Sequence, residues 1–198
     1  MHKFLFFILI FICTTGSAQK KGYNKGYIVN LDGDTILGWV KDRSTNTAFL
    51  EIYARIRFRA KKPRLKRKYG TDEILGYSYD NQYFESVPLK EETALFKFNY
   101  SVDPNNEKVF LKRIVSNHLL TYYEQEFIDD DNSYLYAVPF LYKTNAKQMV
   151  RATQGMFGLK RKKLAAYFSD CPKFVERIKN KKLKTTQEIF EFYSNYCN

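Results

Sequence analysis

The hydrophobic pattern of this chain changes period once, near residue 145, and that change constrains the fold more than any other feature. Before it, short apolar and aromatic runs alternate with turn-forming residues. After it, apolar residues recur at three- and four-residue spacing. A strand-rich half followed by a helical one specifies an α+β chain. The expected architecture is an antiparallel β-rich body, as a curved sheet or partial barrel, over residues 22–145, and a C-terminal three-helix subdomain over 146–198.

The clearest β element runs from Gly26 through Asp32-Gly33 to Val40. Asp-Gly between two β-prone runs predicts a two-residue hairpin loop, because both central positions need positive φ. That loop puts Val29 opposite Ile36 and the Tyr27 ring over Gly38. Apolar residues then fall on both faces, which predicts a central pair covered on both sides. Further strands are expected over 48–58, 73–79, 83–87, 93–100, 108–116, 119–127 and 134–143. Asn117-His118, Asp103-Pro104-Asn105-Asn106 and Asp129-Asp130-Asp131-Asn132 read as reversals, since Asn and Asp bond their own main chain.

In the helical half, Met156 to Phe168 forms the first helical pattern, and Pro172 suits the first turn of the second. Thr185 and Glu188 have capping-box spacing and open a last helix to Tyr196. Cys171, Phe174, Val175 and Ile178 share one face of the second helix, as do Ile189, Phe192, Tyr193, Tyr196 and Cys197 on the last.

Residues 1–18 read as a signal peptide: a polar start, an apolar run of about ten residues from Phe4 to Cys13, and small residues Gly16-Ser17-Ala18 before Gln19. A spanning helix needs about twenty. Cys13 follows Phe11 and Ile12, too bulky for a lipid-attachment site, and is expected to leave with the leader. The expected location is therefore exported: periplasmic, cell-envelope or secreted. In that oxidising setting Cys171 and Cys197, the two remaining cysteines, can join as a structural disulfide. No later segment is apolar enough to predict a transmembrane helix.

The leader, the Gly26-Tyr27-Ile28 to Asp32-Gly33-Asp34-Thr35-Ile36 stretch with Gly38, Asp170-Cys171-Pro172 and the terminal Tyr196-Cys197 together resemble a family of uncharacterised exported proteins common in Bacteroidetes-type bacteria. The resemblance implies export and this general architecture, and it brings no activity and no functional residues.

Catalytic patterns are sparse. His118 is the single histidine after the leader and sits in a turn pattern. No nucleophile elbow, zinc-protease helix, phosphate loop or dinucleotide fingerprint is legible. Asp129, Asp131 and Ser133 fit the start of a calcium loop, but Tyr134 replaces its glycine and Phe140 its closing glutamate. No cofactor and no metal are expected. The remaining enzymatic alternative is an exported hydrolase whose site is built from dispersed carboxylates such as Glu124 and Glu126, or from His118.

The formal charge is +12, and its densest segment holds Arg55, Arg57, Arg59, Lys61, Lys62, Arg64, Lys66, Arg67 and Lys68. Arg55, Arg57 and Arg59 alternate with Ile56 and Phe58, predicting an arginine row above an apolar underside. Arginine forks grip phosphate or carboxylate oxygens in pairs. These nine residues are the candidate ligand-binding set, for an anionic glycan, lipopolysaccharide or an acidic protein surface. The absence of any recognised nucleic-acid module argues against nucleic acid. A second basic region, Lys160 to Lys184, would extend the site if the two were adjacent. The leading expectation is thus a non-enzymatic binding or scaffold protein, against the competing reading of a merely solvated, charge-protected strand edge.

Overall fold

The computed structural model describes residues 22–46, 51–52, 54–61, 66–94, 97–128, 135–155 and 158–197. The leader, Cys13, Lys62, Arg64 and the Asp129 to Ser133 segment lie outside the described residues.

The observed fold is α+β, with an antiparallel barrel-like β body and three C-terminal helices. The strands are β1 (Asn24–Val29), β2 (Thr35–Lys41), β3 (Thr45–Asn46), β4 (Glu51–Ile52), β5 (Ile56–Ala60), β6 (Lys66–Tyr69) and β7 (Gly76–Tyr79). They continue as β8 (Gln82–Ala94), β9 (Lys97–Val102), β10 (Lys108–Ser116), β11 (Leu120–Ile128), β12 (Leu135–Lys143) and β13 (Gln148–Arg151). Eleven strands form one sheet in the order β10-β11-β12-β13-β9-β8-β7-β1-β2-β5-β6. Strand β8 also pairs with β10, through residues 83–88, before pairing with β9 through 89–94. The ladder β8-β10-β11-β12-β13-β9 therefore returns on itself. Its interior is filled from all six strands by Val87, Leu89, Tyr100, Leu111, Tyr123, Val138, Phe140 and Met149. Pro88 stands where β8 changes partner, so its missing N–H interrupts no continuous ladder.

Strands β7, β1, β2, β5 and β6 extend outward from this ring as a sheet with one apolar face. Ile28, Val40, Ile56, Phe58, Ile74, Tyr77, Phe84 and Phe110 form that core. The β1–β2 hairpin departs from the predicted register by one residue. Its loop has five residues, not two: Asn30 N donates to Asp34 O, Gly33 N to Asn30 O, and Asp34 N to Asn30 Oδ1, with Gly33 at φ 89°. Ile28 consequently faces Ile36 and Gly26 faces Gly38, while Tyr27 faces Leu37. A one-residue slip exchanges the two faces. The pair is central, between β7 and β5, but Leu37 is 62% exposed, so one face is open and the prediction of double cover fails. Gly26 and Gly38 permit close strand approach: a Cβ at either would lie 2.0 Å from Ser78 O or 2.3 Å from Arg59 O.

The strand predicted at 48–58 divides into β4 and β5, and those at 83–87 and 93–100 resolve into the long β8 and the hairpin partner β9. Strands β6 and β13 had no sequence counterpart. The first is three consecutive cations and a tyrosine, and the second follows the point where the pattern has already turned helical.

The helices are α1 (Arg161–Tyr167), α2 (Pro172–Lys179) and α3 (Thr186–Tyr196). Helix α1 is shorter than its apolar pattern, and Met156 and Phe157 lie outside the described residues. Thr185 Oγ1 accepts from Glu188 N at 3.1 Å, the expected half of the capping box, while Glu188 Oε2 accepts from Lys184 N at 2.7 Å. The helices bury Leu164, Phe168, Phe174, Ile178, Ile189, Phe190 and Tyr193 against Leu120, Leu141 and Val150 of the barrel. Tyr196, predicted on the buried stripe, is exposed, and Phe190 takes the buried position. Cys171 and Cys197 are joined, Cα to Cα 5.5 Å, from the start of α2 to the end of α3. Asp170 accepts from Tyr193 Oη at 2.6 Å and from Lys143 Nζ at 2.9 Å, tying the helices to β12.

Candidate functional site

The face opposite the Ile28–Phe58 core is the open one, and strand register assembles it. Lys66, Arg59, Trp39 and Lys25 stand in one row across β6, β5, β2 and β1. Lys68, Arg57 and Lys41 form the next row. Strands lie about 4.8 Å apart and same-face residues about 6.8 Å apart along a strand, so six cations occupy a patch on the order of 15 Å across. Those two rows contain no carboxylate. The Arg59 guanidinium lies 6.0 Å from the Trp39 ring centre, and Leu37 and Tyr27 continue the face toward Tyr83, over which Arg113 sits at 4.3 Å.

Of the nine residues singled out by sequence, Arg57, Arg59, Lys66 and Lys68 come together on this face. Lys61 is exposed just beyond β5. Arg55 precedes the strand and does not join the predicted arginine row. It donates to Glu73 at 2.6 Å, as Arg67 does at 2.8 Å from the core side of β6. The Gly70 N–H, bonded to Glu73 at 2.8 Å, and the two guanidiniums hold the Glu73 carboxyl below the ordinary range against the cost of burial. Glu73 thus pairs with two of the nine, offsetting one of their charges, and fixes the β5–β6 edge. Sequence reading missed Lys25, Trp39 and Lys41. The odd-numbered alternation in β1 and β2 carries them, but the five-residue loop is what puts Lys25 opposite Trp39, and the β2–β5 register puts Trp39 and Lys41 beside Arg59 and Arg57.

A second polar cluster had no sequence signal. Where the chain leaves β2, Arg43 is buried, its side chain 7% exposed. Its Nε donates to Tyr77 Oη at 3.0 Å, its Nη1 to Phe110 O at 3.4 Å, and its Nη2 to Glu126. The guanidinium carbon sits 4.9 Å from the Phe84 ring centre. Tyr77 Oη in turn donates to Asp42 Oδ1 at 2.5 Å, and Tyr79 Oη to Asp42 Oδ2 at 2.7 Å. Burial opposes the charge on Arg43, but Tyr77, Asp42 and Glu126 outweigh it and push its pKa up. This cluster pins the outer sheet, through β7 and β8, to β10 and β11 of the barrel. Glu124 accepts from Tyr122 Oη at 2.7 Å, so both carboxylates named in the hydrolase alternative are engaged in local bonds. His118 is exposed in its turn, beside Asn117, whose Oδ1 accepts from Leu119 N and Leu120 N.

Burial drives the Tyr77 and Tyr79 hydroxyls well above the ordinary tyrosine value, with Asp42 adding to it, and pushes Tyr167 up to about 12. Tyr122, Tyr123 and Tyr193 are raised for the same first reason, each next to a carboxylate. The fold holds these protons more tightly than the unfolded chain. Their contribution is fully present below the unfolded value of about 10 and is lost as pH rises through the folded values. Ultraviolet titration of the native protein is expected to show a late-ionising tyrosine class that merges with the rest in urea. A single native transition near pH ~10 would contradict this packing.

The second basic region stands apart from the first. Helix α1 packs on β13 and α3 on β11, whereas β7, β1, β2 and β5 separate β6 from the barrel. Two grooves here are basic as well: one between α1 and α2 is flanked by Arg161, Lys162 and Lys179 with Glu176, and one between α1 and β13 by Arg151, Lys160 and Lys163. Among the described residues, no group of three or more His, Cys, Asp or Glu side chains converges, and no helix is long and apolar enough to cross a membrane. Comparison with protein-family models, curated proteins and solved structures finds no match to this chain.

Proposed function

We propose that the protein is an exported, non-enzymatic binding or scaffold protein of the cell envelope that contacts an anionic surface or ligand through the open face of β1, β2, β5 and β6. The observation that carries this reading is the pair of cross-strand rows, with six cations, Trp39 and no carboxylate. Like charges directly opposite one another destabilise a sheet. Arg57 faces Lys68 and Arg59 faces Lys66, an arrangement that an anionic partner relieves. The sheet supplies rigidity, Trp39 and Leu37 supply apolar contact, and the cations supply long-range attraction. An anionic glycan, lipopolysaccharide or acidic protein surface fits this chemistry. The apolar leader supports export, and the Cys171–Cys197 bond suits an oxidising compartment.

Each cation near an anionic surface contributes about 1 kcal/mol at moderate salt. Replacing Arg57, Arg59, Lys66 and Lys68 together by glutamine is therefore expected to weaken retention on lipopolysaccharide-bearing vesicles by roughly a thousandfold. The matched control, Lys173, Lys179, Lys181 and Lys182 to glutamine on and beside α2, removes the same charge elsewhere and is expected to keep most of the retention. Equal losses in both variants would reduce the interaction to net charge and refute a site on the sheet.

A further inference from the structure

We propose a second site, separate from the sheet face and independent of its function: the cleft between α1 and the β9–β13 pair binds a small molecule through a phosphate group. The cleft encloses about 440 Å³, within the usual size of ligand pockets. Tyr100 and Met149, neighbours across β9 and β13, line it on the barrel side, and Tyr167 of α1 lines it opposite. Three cations enter it: Arg151 at the end of β13, Lys160 just before α1, and Lys163 on α1.

Their positions are set by the fold. Arg151 Nε donates to Thr153 O at 3.1 Å and Lys163 Nζ to Phe98 O at 2.8 Å. Lys160 is anchored by its backbone N–H on Ala152 O at 2.8 Å, and among the described residues its ammonium forms no hydrogen bond or ion pair. No carboxylate lines the cleft among the described residues. Glu91, opposite Tyr100 on β8, acts on this group from beside the Tyr100 hydroxyl, together with Arg151. One acid against three cations leaves two positive charges without a counter-charge among the described residues.

Burial, followed by the charges of Arg151 and Lys163, disfavours the ammonium of Lys160, and Glu91 offsets only part of this. Converging like charges in a partly desolvated cleft are costly unless an anion shares them. A doubly charged phosphate monoester matches the surplus, with oxygens for the arginine fork and for two lysine point charges. Phe98, 40% exposed at the rim, and Tyr167 give the body of such a ligand apolar surface. Tyr167 is fixed in place, since its Oη accepts from Lys143 N at 3.0 Å and donates to Gln148 O at 2.8 Å.

The test is calorimetric titration of the full chain with inorganic phosphate and with glucose 6-phosphate, in phosphate-free buffer at fixed ionic strength, with glucose as the uncharged comparator. Both phosphates are expected to saturate a single site and glucose to give no heat. Lys160→Gln and Lys163→Gln, at positions that are not core, are each expected to weaken binding by about tenfold or more. Lys66→Gln on the sheet face is expected to leave it unchanged. Absence of saturation by either phosphate overturns the site. So does binding that survives both cleft variants, or that falls equally with Lys66→Gln.

Discussion

Replacing Arg43 by methionine is expected to lower the unfolding free energy by about 3–5 kcal/mol, a large fraction of the total for a domain of this size. The magnitude follows from what remains. Methionine fills much of the guanidinium's volume, but Glu126 loses its partner with its side chain 15% exposed, and Asp42 is left facing two tyrosine hydroxyls at 24% exposure. Phe110 O also loses a donor, and the Phe84 ring its cation. Breaking one side of a buried ion pair costs more than the pair contributes, because the other charge stays buried. Arg43→Lys keeps the charge, but its compact ammonium cannot span the separate acceptors on Tyr77, Phe110 and Glu126 that the guanidinium fork reaches, so it should fall between wild type and Arg43→Met. Adding Glu126→Gln to Arg43→Met should recover part of the loss, since the uncompensated carboxylate is gone. Urea unfolding reads all three. An Arg43→Met unfolding free energy within about 1 kcal/mol of wild type would mean that the cluster does not hold the outer sheet to the barrel.

The second large effect is expected at the Cys171–Cys197 bond. Opening a loop of 26 residues releases chain entropy worth roughly 3.5 kcal/mol in the unfolded state. The bond closes α2 and α3 into a hairpin whose shared core is Phe168, Phe174 and Tyr193, with Phe168 centred 4.7 Å from Phe174 and 4.6 Å from Tyr193. Cys171 is itself buried in that cluster. Replacing both cysteines by serine, or reducing the bond, should lower the melting temperature by about 10 °C. The loss should be felt first as helical signal, because the barrel has its own core in Tyr100, Leu111 and Phe140. An unchanged melting temperature after reduction, with both thiols shown free, would remove the stabilising role assigned to the bond.

Local patterns were legible where the residues themselves fix the geometry. Asp103 Oδ1 caps its own turn by accepting from Asn105 N, Pro172 opens α2, and Thr185 caps α3, each as the sequence implies. Pairing at long range was not. The Asp32-Gly33 pair signals a turn, but Asn30 and Asp34 bond to one another and lengthen the loop, and that single residue decides which face Leu37 and Trp39 occupy. Strand β6 carries a single apolar residue, Tyr69 at its end, too little to mark it as sheet. It is held by its ladder to β5 and by Glu73, far from both in kind and several residues on. The Arg43 cluster joins residues up to 83 positions apart, and no spacing rule announces a buried arginine. The basic segment was visible as composition, while its division into a face of four and a clamped pair required the fold.

The most direct test is lysine footprinting by acetylation of the intact protein, free and saturated with lipopolysaccharide. Lys25, Lys41, Lys66 and Lys68 should be protected together in the complex, and Lys173, Lys181 and Lys182 should react at their free rates. Protection confined to the helical lysines, with Lys66 and Lys68 unprotected, would contradict an anion-binding sheet face.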